Sequence, residues 1–258
     1  MLPAPALHIG LIGEKLSHSF SKSYFEKKFL SEQLFGCSYD LFELPSLGGL
    51  RTLVMQHCLD GFNVTIPYKE QIIPLLDHID HTAAQIGAVN TVKVVRDNDG
   101  SVALHGFNTD APAFLKTIQT EPLPDHRKAL ILGTGGASKA VQWAFRQLGN
   151  EFILVSRNPE LHPGSIGYNQ LGHIDLSQFY IIVNATPVGM YPNVDATPLD
   201  VIHAFKHLSD NAFVYDLIYN PSPTRLLREA AACGAETKDG LEMLHLQAEL
   251  SWVLFQQC

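Results

Sequence analysis

Seven residues, Asn63 to Lys69 in the order NVTIPYK, put an amide, a hydroxyl and an amine into one short stretch. In an extended strand alternate side chains share a face, so Asn63 and Thr65 point the same way, and Lys69 follows just beyond Pro67. An amide and a hydroxyl can bind a polar small molecule, and an amine can hold or deliver a proton. Three more segments carry related groups: Ser17 and Ser19 in LSHSFS, Asn90 in GAVNT and Asp110 in GFNTD. Singly, each also has an ordinary reading. The serines suit a helix cap, Asp110 suits the N-cap of the helix expected after it, and Lys69 suits a solvated lysine. They form a site only if strand ends bring them together.

A second kind of chemistry lies in GTGGAS, Gly133 to Ser138, between the apolar run KALIL and a helical pattern through Val141, Ala144, Phe145 and Leu148. At such a strand-to-helix junction Gly133 allows a tight turn, Gly135 lets backbone approach a pyrophosphate, and the N–H groups from Gly136 and Ala137 onward favour negative charge. Ser138 departs from the strict glycine pattern, and close packing alone would also call for such a turn. Sites for NAD usually carry an acid about 20 residues past the glycines, on the ribose diol. Here the next strand ends in Ser156 and Arg157. An arginine there suits a 2′-phosphate, which makes NADP the expected cofactor, with Glu160 beyond Pro159 keeping NAD as the alternative.

The elements that must position these groups read as an α/β chain. LHIGLIG, a helical pattern through Phe20, Tyr24, Phe25 and Phe29, and CSYDLFEL form a βαβ unit. A helix from Leu47 to Cys58, the strand GFNVTIP and the strand VNTVKVV before the turn RDNDG extend it into a mixed sheet. A helix from about Asp110 to Thr120 leads to TEPLPDHR, whose two prolines mark a linker. Beyond it KALIL, FILVSR, YIIVNA and FVYDLI alternate with loops or helices, the pattern of an open parallel sheet. The last segment, GLEMLHLQAELSWVLF, has helical spacing suited to packing back on the first domain.

Composition narrows the partners. The 258 residues carry a net charge of −8 and no lysine- or arginine-rich run, which argues against a nucleic-acid or anionic-membrane footprint. Four scattered cysteines, Cys37, Cys58, Cys233 and Cys258, form no Cys-x-x-Cys pair and fit reduced thiols in a cytoplasmic protein. The histidine pairs His78/His81 and His203/His207 lack a third ligand, so no metal is expected.

Taken together, LSHSFS, NVTIPYK, GAVNT, GFNTD, GTGGAS, NATPVGM, DLIYNP and GLEMLHLQ resemble, in order and over essentially the whole chain, the shikimate dehydrogenase family. The resemblance implies two domains with the site between them. Residues 1–111 and 239–258 would form an α/β substrate-binding catalytic domain with a mixed sheet. Residues 112–238 would form a Rossmann-like NADP-binding domain, the C-terminal helix packing back on the first. It implies Lys69 and Asp110 as the catalytic pair, Ser17 and Ser19 on the substrate carboxylate, and Thr65, Asn90 and Asp110 on its ring hydroxyls with Asn63 nearby. Gln247 and Tyr219 match further substrate ligands. On the cofactor side it implies Gly133, Gly135, Gly136, Ala137, Ser156, Arg157, Thr186, Met190 and Gly240. The implied activity is NADPH-dependent reduction of 3-dehydroshikimate to shikimate in aromatic biosynthesis, by a monomer or homodimer. An NAD-using quinate/shikimate dehydrogenase and a non-catalytic metabolite-binding regulator on the same frame are the alternatives. Lys15 and Lys22 replace prolines common in the first motif, and SRN stands where NRT is more usual.

Overall fold

Two separate periodicities, apolar strands and amphipathic helices in alternation, fold the chain into two units, each built on a six-stranded sheet. The computed structural model describes residues 6–16, 19–98, 100–121, 128–199 and 212–257. Ser17, most of the expected linker and the pair His203/His207 therefore lie outside the described residues. The first unit comprises residues 1–109 and 248–258, and the second residues 110–247.

In the first unit the strands are β1 (His8–Gly13), β2 (Ser38–Glu43), β3 (Gly61–Val64), β4 (His78–Ile79), β5 (Thr91–Arg96) and β6 (Val102–Phe107). They lie in the order β2-β1-β3-β5-β6-β4, with β5 antiparallel to both β3 and β6 and the other pairings parallel. The expected mixed sheet is present. Its register has a direct consequence for function: Gly13 pairs with Glu43, Ile12 with Val64, Asn63 with Thr91, and Thr91 with Phe107. The carboxyl ends of β1, β2, β3 and β6 and the start of β5 thus share one edge, where the chemistry-bearing motifs emerge.

Helices α1 (Ser21–Ser31), α2 (Leu50–Gln56), α3 (Tyr68–Gln71) and α4 (His81–Ile86) belong to this unit. On one sheet face Leu50 and Val54 of α2 join Phe62, Val64, Tyr68 and Val92. On the other, Phe25 and Phe29 of α1 join Ile9, Leu11 and Tyr39, with the Phe25 and Tyr39 rings stacked at 4.5 Å. The helix expected over Leu47–Cys58 is shorter, because a 3-10 turn at Leu47–Gly49 precedes it and two consecutive glycines favour no helix.

The second unit has β7 (Lys128–Leu132), β8 (Phe152–Ser156), β9 (Ser165–Gly167), β10 (Phe179–Asn184), β11 (Phe213–Asp216) and β12 (Glu236–Lys238). All are parallel, in the order β9-β8-β7-β10-β11-β12. Counted within the unit this is 3-2-1-4-5-6, the doubly wound dinucleotide-binding order, whose crevice opens between the first and fourth strands. Here those are β7 and β10. Every residue of β10 is buried, as expected of a central parallel strand covered on both faces.

Helices α5 (Asp110–Gln119), α6 (Gly136–Gln147), α7 (Arg225–Ala232) and α8 (Leu241–Gln256) follow. In α5 the buried Ala111, Phe114 and Ile118 recur at helical spacing, and Phe114 stacks on Tyr215 at 5.2 Å. Met243 of α8 lies in the second unit's core, whereas Ala248, Trp252 and Phe255 lie in the first unit's core beside Phe25 and Phe29.

One core group is an exception to good satisfaction. The Tyr180 hydroxyl on β10 is buried among apolar residues with no hydrogen-bond partner among the described residues. Burial also raises its pKa, which keeps it neutral. Removing a buried, unpaired hydroxyl relieves its desolvation, so Tyr180→Phe should stabilise the protein by roughly 1 kcal/mol. Urea unfolding of the two proteins checks this, and a loss of stability would refute it.

Candidate active site

The substrate-side motifs meet in a buried polar knot at the shared edge of the first sheet. Asn63 on β3 is only 6% exposed, yet its amide has several partners. Tyr39 on β2 donates its hydroxyl to Asn63 Oδ1 at 2.9 Å. Asn63 Nδ2 in turn lies within donating distance of Ser251 Oγ (3.0 Å), Thr91 Oγ1 (3.1 Å) and the Asn90 carbonyl (3.3 Å). Desolvation pushes the Tyr39 phenol well above its ordinary pKa, so it remains a donor.

Beside this amide three hydroxyls form a triangle: Thr91 to Ser251 at 2.8 Å, Ser251 to Thr109 at 3.1 Å, and Thr91 to Thr109 at 3.2 Å. Asn90 is clasped to Thr109 twice, donating Nδ2–H to its Oγ1 at 2.8 Å and accepting its backbone N–H on Oδ1 at 2.7 Å. These bonds decide which way the Asn90 amide faces. Asn63 is therefore a brace within the knot, while Thr65, one residue beyond β3, is half-buried and its hydroxyl makes no hydrogen bond among the described residues.

Lys69 is half-buried in the short α3, and its carbonyl accepts the Val89 N–H at 2.7 Å, which ties the NVTIPYK segment to GAVNT. Asp110 is 5% exposed and is the first residue of α5, directly after the clamped Thr109. The serine segment leaves β1 at the same edge, where Glu43 accepts the Leu16 N–H at 2.6 Å. Ser19 accepts the Ser21 N–H at 3.3 Å, and Phe20, the N-cap of α1, makes no side-chain cap. Gln247, on α8 in the second unit, donates its amide to Leu244 within its own helix.

The dinucleotide side lies at the carboxyl ends of the second sheet. Gly133 has φ +107°, a conformation that favours glycine, and a Cβ there would meet Thr186 and the Ala185 carbonyl. Gly135 is the N-cap of α6 without any side-chain cap, and a Cβ there would meet nothing within 4 Å. A helix start without a side-chain cap, beside open space at Gly135, fits a pyrophosphate. Ser138 points inward and accepts from Gln142. Ser156 ends β8, buried, with its hydroxyl accepting the Asn158 N–H, and Arg157 beside it is exposed.

At the ends of β10 and β11 a second buried network appears. Asn184 accepts both the hydroxyl (2.7 Å) and the N–H (3.0 Å) of Thr186, and donates to Asp216 at 2.9 Å. Asp216 also accepts the Thr224 hydroxyl at 2.7 Å and the Ile218 N–H at 3.0 Å, which shapes the turn before Tyr219. Met190, 36% exposed, closes its own turn on Pro187 at 3.1 Å. Gly240 is required by packing, since a Cβ would stand 2.0 Å from the Leu217 carbonyl oxygen.

The bracing residues Tyr39, Thr91, Thr109, Ser251, Asp216 and Thr224 are absent from the sequence-derived candidates. Periodicity carried a signal for one of them: Ser251 shares a helical face with the buried Ala248, Trp252 and Phe255.

Comparison with known proteins identifies the family. The family model for the "Shikimate dehydrogenase substrate binding domain" matches residues 11–92. A shikimate dehydrogenase (NADP(+)) of Clostridium beijerinckii is 37% identical over 259 residues, which cover 96% of this chain and 92% of that protein. The chain belongs to the shikimate dehydrogenase family. Among solved structures of the family, shikimate dehydrogenase 1 from Peptoclostridium difficile superimposes with a TM-score of 0.83 at 36% identity, covering 97% of this chain and 91% of that one. Shikimate 5-dehydrogenase from Thermus thermophilus, solved in complex with NADP(H) and shikimate, gives a TM-score of 0.80 at 32% identity, covering 96% and 93%.

Asp216 gives this family member a testable pH dependence. Burial is the main cause that lifts its carboxyl from 3.8 to about 6, against the pull of its hydrogen bonds. Between those values the folded chain keeps a proton that the unfolded chain has lost, so stability falls as pH rises from about 4 to about 6 and stays lower above. Asp216→Asn removes this titration. Its stability difference from wild type should change by roughly 2–3 kcal/mol across the window. Urea unfolding at pH 4.5 and 7 measures it, and parallel curves for the two proteins would disprove it.

Proposed function

We propose that this protein catalyses the reversible, NADPH-dependent reduction of 3-dehydroshikimate to shikimate in aromatic amino acid biosynthesis. The supporting observation is the presence of Ser19, Thr65, Lys69, Asn90 and Asp110 in a chain similar to NADP-dependent shikimate dehydrogenases over nearly its full length. Residues 1–111 and 239–258 act as the substrate-binding catalytic domain and residues 112–238 as the dinucleotide-binding domain, a functional division whose bounds differ from those of the compact units at residues 110–111 and 239–247. The enzyme works in the cytoplasm as a monomer or homodimer.

Ser17 and Ser19 hold the substrate carboxylate, and Tyr219 and Gln247 add further contacts. Thr65 and Asn90 bind ring hydroxyls, with Asn63 keeping the Asn90 segment in place from behind. Gly133, Gly135, Gly136 and Ala137 take the pyrophosphate, Ser156 and Arg157 the adenosine 2′-phosphate, and Thr186, Met190 and Gly240 border the nicotinamide. When bound, the reduced cofactor supplies a hydride to the carbonyl carbon. Negative charge then develops on the ketone oxygen, and a proton must reach it as the charge forms. Lys69 donates that proton from Nζ and is reprotonated from solvent. Asp110 orients the Lys69 ammonium and accepts a hydrogen bond from a neighbouring substrate hydroxyl. In the reverse direction neutral Lys69 takes the proton from the alcohol.

Two substitutions separate these roles. Lys69→Ala should lower kcat by about 10²–10⁴-fold, the range for loss of a general acid, while moving the KM for shikimate far less. Retained turnover would remove Lys69 from the mechanism. Arg157→Ala should raise the KM for NADP by roughly 10–100-fold, the worth of a charge-assisted phosphate contact, and leave the KM for NAD nearly unchanged. Equal changes with both cofactors would show that Arg157 does not read the 2′-phosphate.

A further inference from the structure

Ser251 is fully buried on α8, far in sequence from Asn63, Thr91 and Thr109, yet its hydroxyl is a shared vertex of the polar knot they form. It lies 2.8 Å from Thr91, 3.1 Å from Thr109 and 3.0 Å from Asn63 Nδ2. The proton inventory restricts what it can do. Asn63 Nδ2 and Asn90 Nδ2 can only donate, so Ser251 Oγ accepts from the first and Thr109 Oγ1 accepts from the second. The three hydroxyl protons of Ser251, Thr91 and Thr109 are then left to bond around the triangle or, from Thr91, to Asn90 Oδ1 at 3.3 Å. Thr109 is held between Ser251 on one side and both polar ends of the Asn90 amide on the other.

We propose that Ser251 is a positioning residue for the substrate: by anchoring Thr109 from the last helix, it fixes the orientation in which Asn90 meets a ring hydroxyl. This rests on the reading that Asn90 contacts the substrate. Ser251 itself touches neither substrate nor cofactor. An alanine at 251 keeps the helix and nearly the same volume but leaves the Asn63 amide without one acceptor and Thr109 with only Thr91 as a hydroxyl tether besides Asn90. The Asn90 amide then has a looser partner and can rotate away from the ring hydroxyl.

A double-mutant cycle in the full-length enzyme tests this, with KM and kcat measured for shikimate and for NADP in Ser251→Ala, Asn90→Ala and the double variant. Loss of a well-oriented hydrogen bond predicts that Ser251→Ala raises the KM for shikimate roughly tenfold, with the KM for NADP within about twofold of wild type. In the Asn90→Ala background the same change should have little further effect, because the group it orients is gone. A merely structural role would instead reduce the active fraction, lowering apparent kcat with both KM values unchanged. That result, or full additivity with Asn90→Ala, overturns the proposal. If Asn90→Ala alone leaves the KM for shikimate untouched, the substrate role of Asn90 fails, and the positioning role falls with it. Should Ser251→Ala not fold, Thr91→Val removes a second vertex of the triangle at constant shape, and the same cycle with Asn90→Ala decides the matter.

Discussion

A buried asparagine must satisfy its amide without water, and the first unit is arranged around that demand at Asn63. Tyr39 supplies the donor, while Ser251, Thr91 and the Asn90 carbonyl supply acceptors. These partners come from β2, β5, the segment just before it, and α8. Satisfying one side chain therefore pins several elements in a single arrangement. A half-made network would be worse than an apolar core, which makes the register of β3 against β5 strongly specified. Of the groups proposed to face substrate, Asn90 is itself clamped into this knot, and Thr65 sits just beyond the end of β3.

The second unit meets the corresponding demand with a charge. Asp216 ends β11 directly beside Asn184 at the end of β10, and its carboxylate gathers an amide, a hydroxyl and a backbone N–H. Three donors are not enough to cancel the cost of burial, as the upward shift of its carboxyl shows. What that cost secures is geometric. One carboxylate sets both the Asn184 amide, and through it Thr186, and the turn leading to Tyr219. Rigid loops at the crevice of a doubly wound sheet suit a reaction that transfers hydride over a short distance.

Much of this is legible in the sequence. The mixed sheet, the parallel sheet with its glycine turn, and the helix returning to the first unit's core follow from apolar periodicity and from turn residues such as Gly133. The short strands β4, β9 and β12 leave no mark in the sequence, because two or three residues carry no period and edge strands form only when a neighbour offers a ladder. Site residues show the same division. Alternation puts Asn63 and Thr65 on one strand face as polar groups, but it cannot tell that Asn63 turns into a brace while Thr65 sits half-exposed beyond the strand end.

The sequence by itself determined which chemistry is present: hydroxyls, amides, a lysine and an aspartate in one half, a glycine turn and an arginine at a strand end in the other. Those are properties of residue type and local spacing, and they survive in an unfolded chain. Only tertiary structure decided which polar groups are spent on one another. Asn63 and Ser251 are 188 positions apart, and no local pattern links them; they meet because the last helix packs its Trp252 and Phe255 against α1 and the first sheet. Burial there excludes water, and exclusion of water turns an ordinary serine into an obligatory partner.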